Sequence, residues 1–175
     1  MQGGKLMEFT LRKWEENDAR SVLKYADNKK ISDNLRDVFP HPYTLADAAL
    51  YVRECAHSSE EKDLCRAIVI NGEAVGSVGI FVQGDVARKS AELGYWLGEP
   101  FWGKGVMSAA VRQICAEAFE KFDIVRIYAE PFAHNAASRK VLQKAGFTLE
   151  GIMKDSVCKN GEIFDSCMYA LLKKE

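Results

Sequence analysis

Apolar and polar positions along the 175-residue chain change period several times, and each change marks an element. Phe9-Thr10-Leu11-Arg12 reads as a short opening strand, and Asn17-Asp18 offers a cap for a helix carrying Val22, Leu23 and Tyr25. Asn34 to Tyr43 holds Phe39-Pro40-His41-Pro42, and prolines at that density forbid regular helix, so it is a loop holding aromatics. Thr44 with Asp47 has the capping-box spacing for a helix through about His57, with Leu45, Ala48, Ala49 and Val52 on its apolar side.

From Cys65 onward the period shortens to that of strands. Ala67-Ile68-Val69-Ile70 and Ala74 to Phe81 flank Asn71-Gly72, a pair suited to the two positive-φ positions of a tight hairpin. Ala91 to Leu97 supplies a third strand, which predicts an antiparallel meander. Val106 to Phe122 returns to helical spacing, with Met107, Val111, Ile114, Ala118 and Phe122 on one side. Val125 to Glu130 alternates as a strand stopped by Pro131, and Asn135 caps a helix over Ala136 to Ala145 that Gly146 ends. Ile152 to Cys158 and Ile163 to Leu172 form a second hairpin around Asn160-Gly161, with Phe164, Met168, Ala170 and Leu172 assigned to one apolar face. No repeat or linker interrupts this order. It predicts one α+β domain over residues 7–175 with a mixed, mostly antiparallel sheet flanked by helices; residues 1–6, ahead of the alternative start Met7, are set aside as a leader.

Composition narrows the classes of partner. With 24 Lys+Arg against 25 Asp+Glu, the formal net charge is −1, which gives no broad basic footprint for nucleic acid or an anionic membrane. No apolar run approaches the ~20 residues of a bilayer span, so the sequence predicts a cytoplasmic protein, monomer or homodimer. Cys55, Cys65, Cys115, Cys158 and Cys167 contain no Cys-x-x-Cys pair and stand near no histidine at ligand spacing, so they are assigned as small buried hydrophobes and no metal site is expected. His41, His57 and His134 are scattered.

The segment with the most chemistry is Leu97-Gly98-Glu99-Pro100-Phe101-Trp102-Gly103-Lys104-Gly105-Val106-Met107, between a strand and the longest helix. A helix start carries unpaired N–H groups and partial positive charge, and Gly103 and Gly105 let an anion approach the backbone. A nucleotide-triphosphate loop fits poorly, because Gly105 stands where a Mg²⁺-binding hydroxyl belongs. A dinucleotide loop also fails: Ser108 replaces its last glycine, and the preceding strands form a meander. A metal-free diphosphate remains, and coenzyme A matches it, with a pantetheine arm able to run along a strand edge.

Four segments, one of them within this loop, taken in order, resemble the GCN5-related N-acetyltransferase superfamily and its RimJ/RimL-like branch. They are Asn34-Leu35-Arg36-Asp37 with Phe39-Pro40, Glu92-Leu93-Gly94-Tyr95-Trp96-Leu97, Trp102-Gly103-Lys104-Gly105, and Asn135-x-x-Ser138 leading to Lys144-Ala145-Gly146-Phe147. The resemblance spans about Phe9 to Lys173 and implies a GNAT-like fold and an acetyl-CoA-dependent N-acetyltransferase acting by direct attack in a ternary complex. It implies that the backbone of Gly103, Lys104, Gly105, Val106 and Met107 binds the diphosphate, that Trp96 and Leu97 pair with the pantetheine, and that Asn135 contacts the same arm. Pro100 departs from the Gln or Arg of many members, and Leu142 stands where many carry a tyrosine acid. Ser138 is then the acid that the branch implies.

Acyl transfer needs a neutral amine, donors for a developing oxyanion and a proton for the leaving thiolate. A splayed strand could present the N–H of Trp96 or Leu97 to the carbonyl; Glu92 is the candidate base, with Asp33, Asp37 and Asp155 as alternatives. Phe39 and Tyr43 would wall an acceptor site, Asp33 or Asp37 would attract a cationic amine, and Arg139 with Lys140 would approach the cofactor's ribose phosphate. The acceptor class stays open among a protein N-terminus, a polyamine, an aminoglycoside and a small amine. A non-catalytic acyl-CoA-binding or sensor module is the alternative; it would have no use for Ser138 or Glu92.

Overall fold

The structure, a computed structural model, describes residues 7–174; the leader expected over residues 1–6 lies outside them. Seven strands form one sheet: β1 (Thr10–Arg12), β2 (Asp63–Ile70), β3 (Glu73–Val82), β4 (Ser90–Leu97), β5 (Arg126–Ala129), β6 (Thr148–Lys159) and β7 (Glu162–Leu172), in spatial order β1-β2-β3-β4-β5-β7-β6. Only β4 and β5 pair in parallel. Both expected hairpins close on two-residue turns, Asn71-Gly72 and Asn160-Gly161, whose four φ angles lie between 50° and 81°.

Helices cover both faces. On one side α4 (Val106–Lys121) and α5 (Ala136–Lys144) pack Ile114, Ala118 and Leu142 against Leu64, Ile80, Leu93 and Ile127. On the other, α1 (Ala19–Ala26) and α3 (Leu45–Ala56) bury Val22, Ala48 and Val52 with Cys65, Ala67 and Trp96, and the one-turn helix α2 (Lys29–Ser32) leads into the aromatic loop. Burial of the Val, Leu and Ile side chains among these, at about 1.5–3 kcal/mol each, fixes which face of each strand points where.

Local caps decide where helices begin. In α3 Thr44 Oγ1 accepts from the Asp47 amide at 3.2 Å, and the Thr44 amide donates to the Asp47 carboxylate at 2.8 Å. At α1 the expected Asp18 cap is replaced: its carboxylate is buried, accepting two bonds from Arg12 at 2.7 and 2.8 Å and one from the Glu15 amide. Arg12 and this amide hold the Asp18 carboxyl below its ordinary pKa against the cost of burial.

Three packing expectations need correction. Leu45 lies half exposed on α3, because the apolar stripe runs through Ala48 and Val52 instead. The core face of β7 is the odd-numbered one, Cys167, Tyr169 and Leu171, while Leu172 is exposed. Alternation gives a strand its period but not its phase, and pairing with β5, which sets Ile127 opposite Leu171, supplies the phase. Cys158 is exposed and Cys55 only half buried, unlike Cys65, Cys115 and Cys167.

Candidate active site

The sheet opens at its centre. β4 pairs with β5 only at Ser90↔Arg126, Ala91↔Ile127 and Glu92↔Tyr128, whereas its pairing with β3 continues to Leu97. From Leu93 onward one edge of β4 has no partner strand among the described residues. Gln83 donates to the Ser90 carbonyl and Gly98 to the Val75 carbonyl, so the even-numbered residues of β4 bond to β3. The main-chain groups of Leu93, Tyr95 and Leu97 therefore face the gap. Trp96, expected beside Leu97 as a pantetheine partner, belongs by this alternation to the β3 ladder opposite Ser77, and its indole is buried on the other face.

The glycine loop closes the end of this gap. A short 3-10 turn, Glu99–Phe101, follows β4, and the Trp102 indole N–H donates to the Leu97 carbonyl at 2.7 Å, fixing the loop against the strand end. Gly103 and Gly105 adopt φ of 73° and 77°, left-handed values that cost little only for glycine. Gly105 is the N-cap of α4, and no side chain caps this helix. The first bond back into the loop runs from Ala109 to the Gly105 carbonyl. Among the described residues, the amides of 103 to 108 donate to no protein acceptor. A Cβ added at Gly103 would meet nothing within 4 Å, so the space above the loop is open. Orphan amides, a helix N-terminus and open space fit a diphosphate.

The N-terminus of α5 contributes the other polar groups. Asn135 Oδ1 accepts from the Ser138 amide at 3.1 Å, which commits that oxygen to the helix cap; its Nδ2 bonds to nothing among the described residues. The Ser138 hydroxyl lies 2.6 Å from the Tyr95 hydroxyl, which brings Ser138 to the open half of β4. Tyr95 is absent from the sequence-level candidates. Its side chain is half buried against the core, and burial pushes the phenol up to about 12.

Glu92 sits where β4 and β5 still pair and makes an ion pair with Arg36 of the aromatic loop. Burial raises its pKa, with Arg36 opposing and Glu130 adding to the rise. Asp33 and Asp37 instead tie that loop to the β6–β7 turn: Asp33 accepts from Asn160 at 2.9 Å and pairs with Lys29 at 2.7 Å, and Asp37 pairs with Lys159 at 2.9 Å. Both carboxylates serve this strap. Asp155 lies in an irregular stretch of β6, its amide donating to Asp165 at 3.0 Å.

Phe39 is half buried, 4.9 Å from Tyr43 and 5.9 Å from Trp96 between ring centroids. Tyr43 is only 5% exposed, so it backs Phe39 and does not itself line an open cleft. Arg139 turns inward, donating to Tyr169 at 3.2 Å and to the Ala133 carbonyl at 3.0 Å, which redirects it from the expected ribose phosphate; Lys140 is exposed. No group of three or more metal-ligating side chains occurs among the described residues.

A sheet split at its fourth strand, with a glycine loop of free amides at the split, defines a fold that binds an extended acyl carrier. Residues 8–148 match the acetyltransferase (GNAT) domain model, and the chain belongs to that family. It is an N-acetyltransferase using acetyl-CoA. It is similar to a protein named as a ribosomal N-acetyltransferase, YdaF of Bacillus subtilis (strain 168), at 35% identity over 108 residues, 62% of this chain and 58% of that protein. It is also similar to the uncharacterized N-acetyltransferase p20 of Bacillus licheniformis, at 28% identity over 95% of this chain and 94% of that one. Among solved structures, the ribosomal L7/L12 alpha-N-protein acetyltransferase RimL in complex with coenzyme A superposes with a TM-score of 0.82 at 25% identity, covering 94% of this chain and 93% of RimL. The expected family, fold and cofactor are thereby borne out.

Proposed function

We propose that the chain transfers acetyl from acetyl-CoA to a primary α-amine, with the N-terminus of a cytoplasmic protein as the acceptor class. Bound acetyl-CoA supplies a thioester carbonyl activated for attack and a thiolate leaving group. The amides of Gly103, Lys104, Gly105, Val106 and Met107 hold the diphosphate, the main chain of Tyr95 and Leu97 bonds the arm, and Asn135 Nδ2 supports it. A donor aimed at the carbonyl oxygen comes from the free edge of β4. Ser138 gives a hydrogen to the departing sulfur, and Glu92, directly or through water, takes one from the amine. The amine loses one proton to Glu92 and the sulfur gains one from Ser138; Glu92 releases its proton to solvent and the serine oxygen takes one back from solvent, so amine and acetyl-CoA give amide and free thiol with both residues restored.

The observation that carries this reading is the set of unbonded amides from 103 to 108 beside the unpaired half of β4. The choice of acceptor rests on proton chemistry. An α-amine of pKa about 7.7–8.0 is neutral at pH 7 in roughly one molecule in ten; a lysine near 10.4 is roughly a few hundredfold less so. Glu92, paired with Arg36, is a modest base suited to the former. RimL, an alpha-N-protein acetyltransferase by name, supports the same class.

A thiol-release assay with acetyl-CoA tests it, using free-N-terminal peptides, Nα-blocked lysine peptides, polyamines and aminoglycosides. The expected result is turnover of the free-N-terminal peptides at least tenfold above the others. Preferential turnover of a blocked lysine peptide or a polyamine would reassign the acceptor.

A further inference from the structure

Ser138 and Tyr95 are 43 residues apart in sequence and 2.6 Å apart at their hydroxyl oxygens. A phenol is the stronger donor of the two, because its oxygen carries negative charge more readily than an alkanol's. Either hydroxyl can donate in the 2.6 Å contact, and the phenol also lies 3.4 Å from the Ser138 carbonyl; the shorter distance and the phenol's donor strength favour Tyr95 O–H donating to Ser138 Oγ. A serine hydroxyl has one hydrogen and two lone pairs, and Ser138 Oγ makes no other hydrogen bond among the described residues. Accepting from Tyr95 occupies one lone pair and leaves the serine hydrogen to point elsewhere. Tyr95 lies on the half of β4 that β5 does not pair with, and its side chain reaches Ser138 in the first turn of α5.

We propose that Tyr95 is a positioning residue for acyl transfer: its phenol donates to Ser138 and so aims the serine hydrogen at the leaving sulfur of coenzyme A. The proposal rests on reading Ser138 as the donor to that sulfur. Burial keeps the phenol protonated at neutral pH. The charged and titratable groups around the pair leave it undisturbed: Tyr169 on β7 only raises the Tyr95 pKa, and Arg139 on α5 spends its bonds on Tyr169 and Ala133. Leu142, at the place of the expected tyrosine acid, is fully buried in the core and offers no competing hydroxyl.

The test reads binding, so it needs no acceptor. Affinities of coenzyme A and of desulfo-coenzyme A are measured by calorimetry from pH 6 to 10 for the intact protein, Tyr95→Phe, Ser138→Ala and the double variant. In the intact protein the ratio of the two affinities should grow with pH as the bound thiol ionises. Tyr95→Phe should cut that growth about tenfold while leaving the desulfo affinity unchanged, and Ser138→Ala should cut it as much or more. The double variant should lose no more than Ser138→Ala alone, because one hydroxyl acts through the other. A wild-type ratio in Tyr95→Phe, or losses that multiply in the double variant, overturns the proposal. Failure of the intact protein to bind either ligand overturns the cofactor site itself. Normal binding with a ratio untouched by Ser138→Ala overturns Ser138 as the donor, and Tyr95 with it. Thermal melts verify folding of each variant. As a second variant, 3-fluorotyrosine at position 95 keeps the shape and strengthens the phenol as a donor, and should raise the ratio; a lowered ratio contradicts the assigned direction of the bond.

Discussion

The two longest helices of this chain begin in opposite ways. α3 starts with Thr44 and Asp47, whose side chains and amides satisfy one another at 2.8 and 3.2 Å. α4 starts at Gly105 with a left-handed backbone, no capping side chain, and amides that bond to nothing in the described protein. A capping side chain contributes about 1 kcal/mol, and α4 forgoes it. The difference shows that a helix with so strongly buried a face can hold its shape by packing alone and leave its first turn for a ligand. α5 is intermediate: Asn135 caps it with its oxygen, while the Ser138 hydroxyl takes no part in the cap and bonds across to Tyr95.

The largest expected effect breaks the contrast at its centre. Gly105→Glu puts a carboxylate into the anion site and a side chain at φ of 77°, and calorimetry should show acetyl-CoA affinity falling at least about a hundredfold. Ser138→Ala, in the intermediate helix, should lower kcat by about ten- to a hundredfold while acetyl-CoA affinity changes less than twofold; equal losses in both would mean a binding role. At the far end of α4 the helix is tied conventionally, Lys121 pairing with Glu60 at 2.6 Å and Glu60 with Arg66 at 2.7 Å. These partners, Lys121 foremost, hold the Glu60 carboxyl down at about 2, below its ordinary 4.5. A depressed carboxylate stabilises the fold above its unfolded pKa, and that contribution is lost as the pH falls from about 4.5 toward 2. Glu60→Gln should cost about 1–2 kcal/mol at pH 7 and flatten the melting curve's dependence over that acid range, with coenzyme A affinity unchanged. Thr44→Ala is the smallest: about 1 kcal/mol of stability in a denaturant titration and no change in the acetyl-CoA Kd. A binding change there would mean the capped helix also serves the site.

Much of the architecture was legible from local pattern. Asn71-Gly72 and Asn160-Gly161 announced their hairpins, since two successive positive-φ positions suit few other pairs, and Thr44 with Asp47 marked a helix start within one turn of chain. The glycine loop was legible because its chemistry is backbone chemistry, set by residues adjacent in sequence. Side chains that meet across elements were not. Nothing local links Tyr95 to a serine 43 residues away on a distant helix, and Leu142, buried and without a hydroxyl, signals only that the expected tyrosine acid is missing. Arg139 looked like a phosphate ligand on α5 until β7 brought Tyr169 to it. Asp33 and Asp37 looked like amine attractors, and the turn at Asn160 claimed them for a strap.

The sequence by itself determined the order of elements, the family and the cradle of free amides, because φ and ψ preferences act over a few neighbouring residues. Tertiary structure alone decided that β4 parts from β5 after Glu92, that Leu97 and Tyr95 rather than Trp96 face the opening, and that Ser138 finds a phenol. Those outcomes depend on strand register. A shift of one residue reverses every side chain and every main-chain bond, and only the packed sheet as a whole fixes that choice.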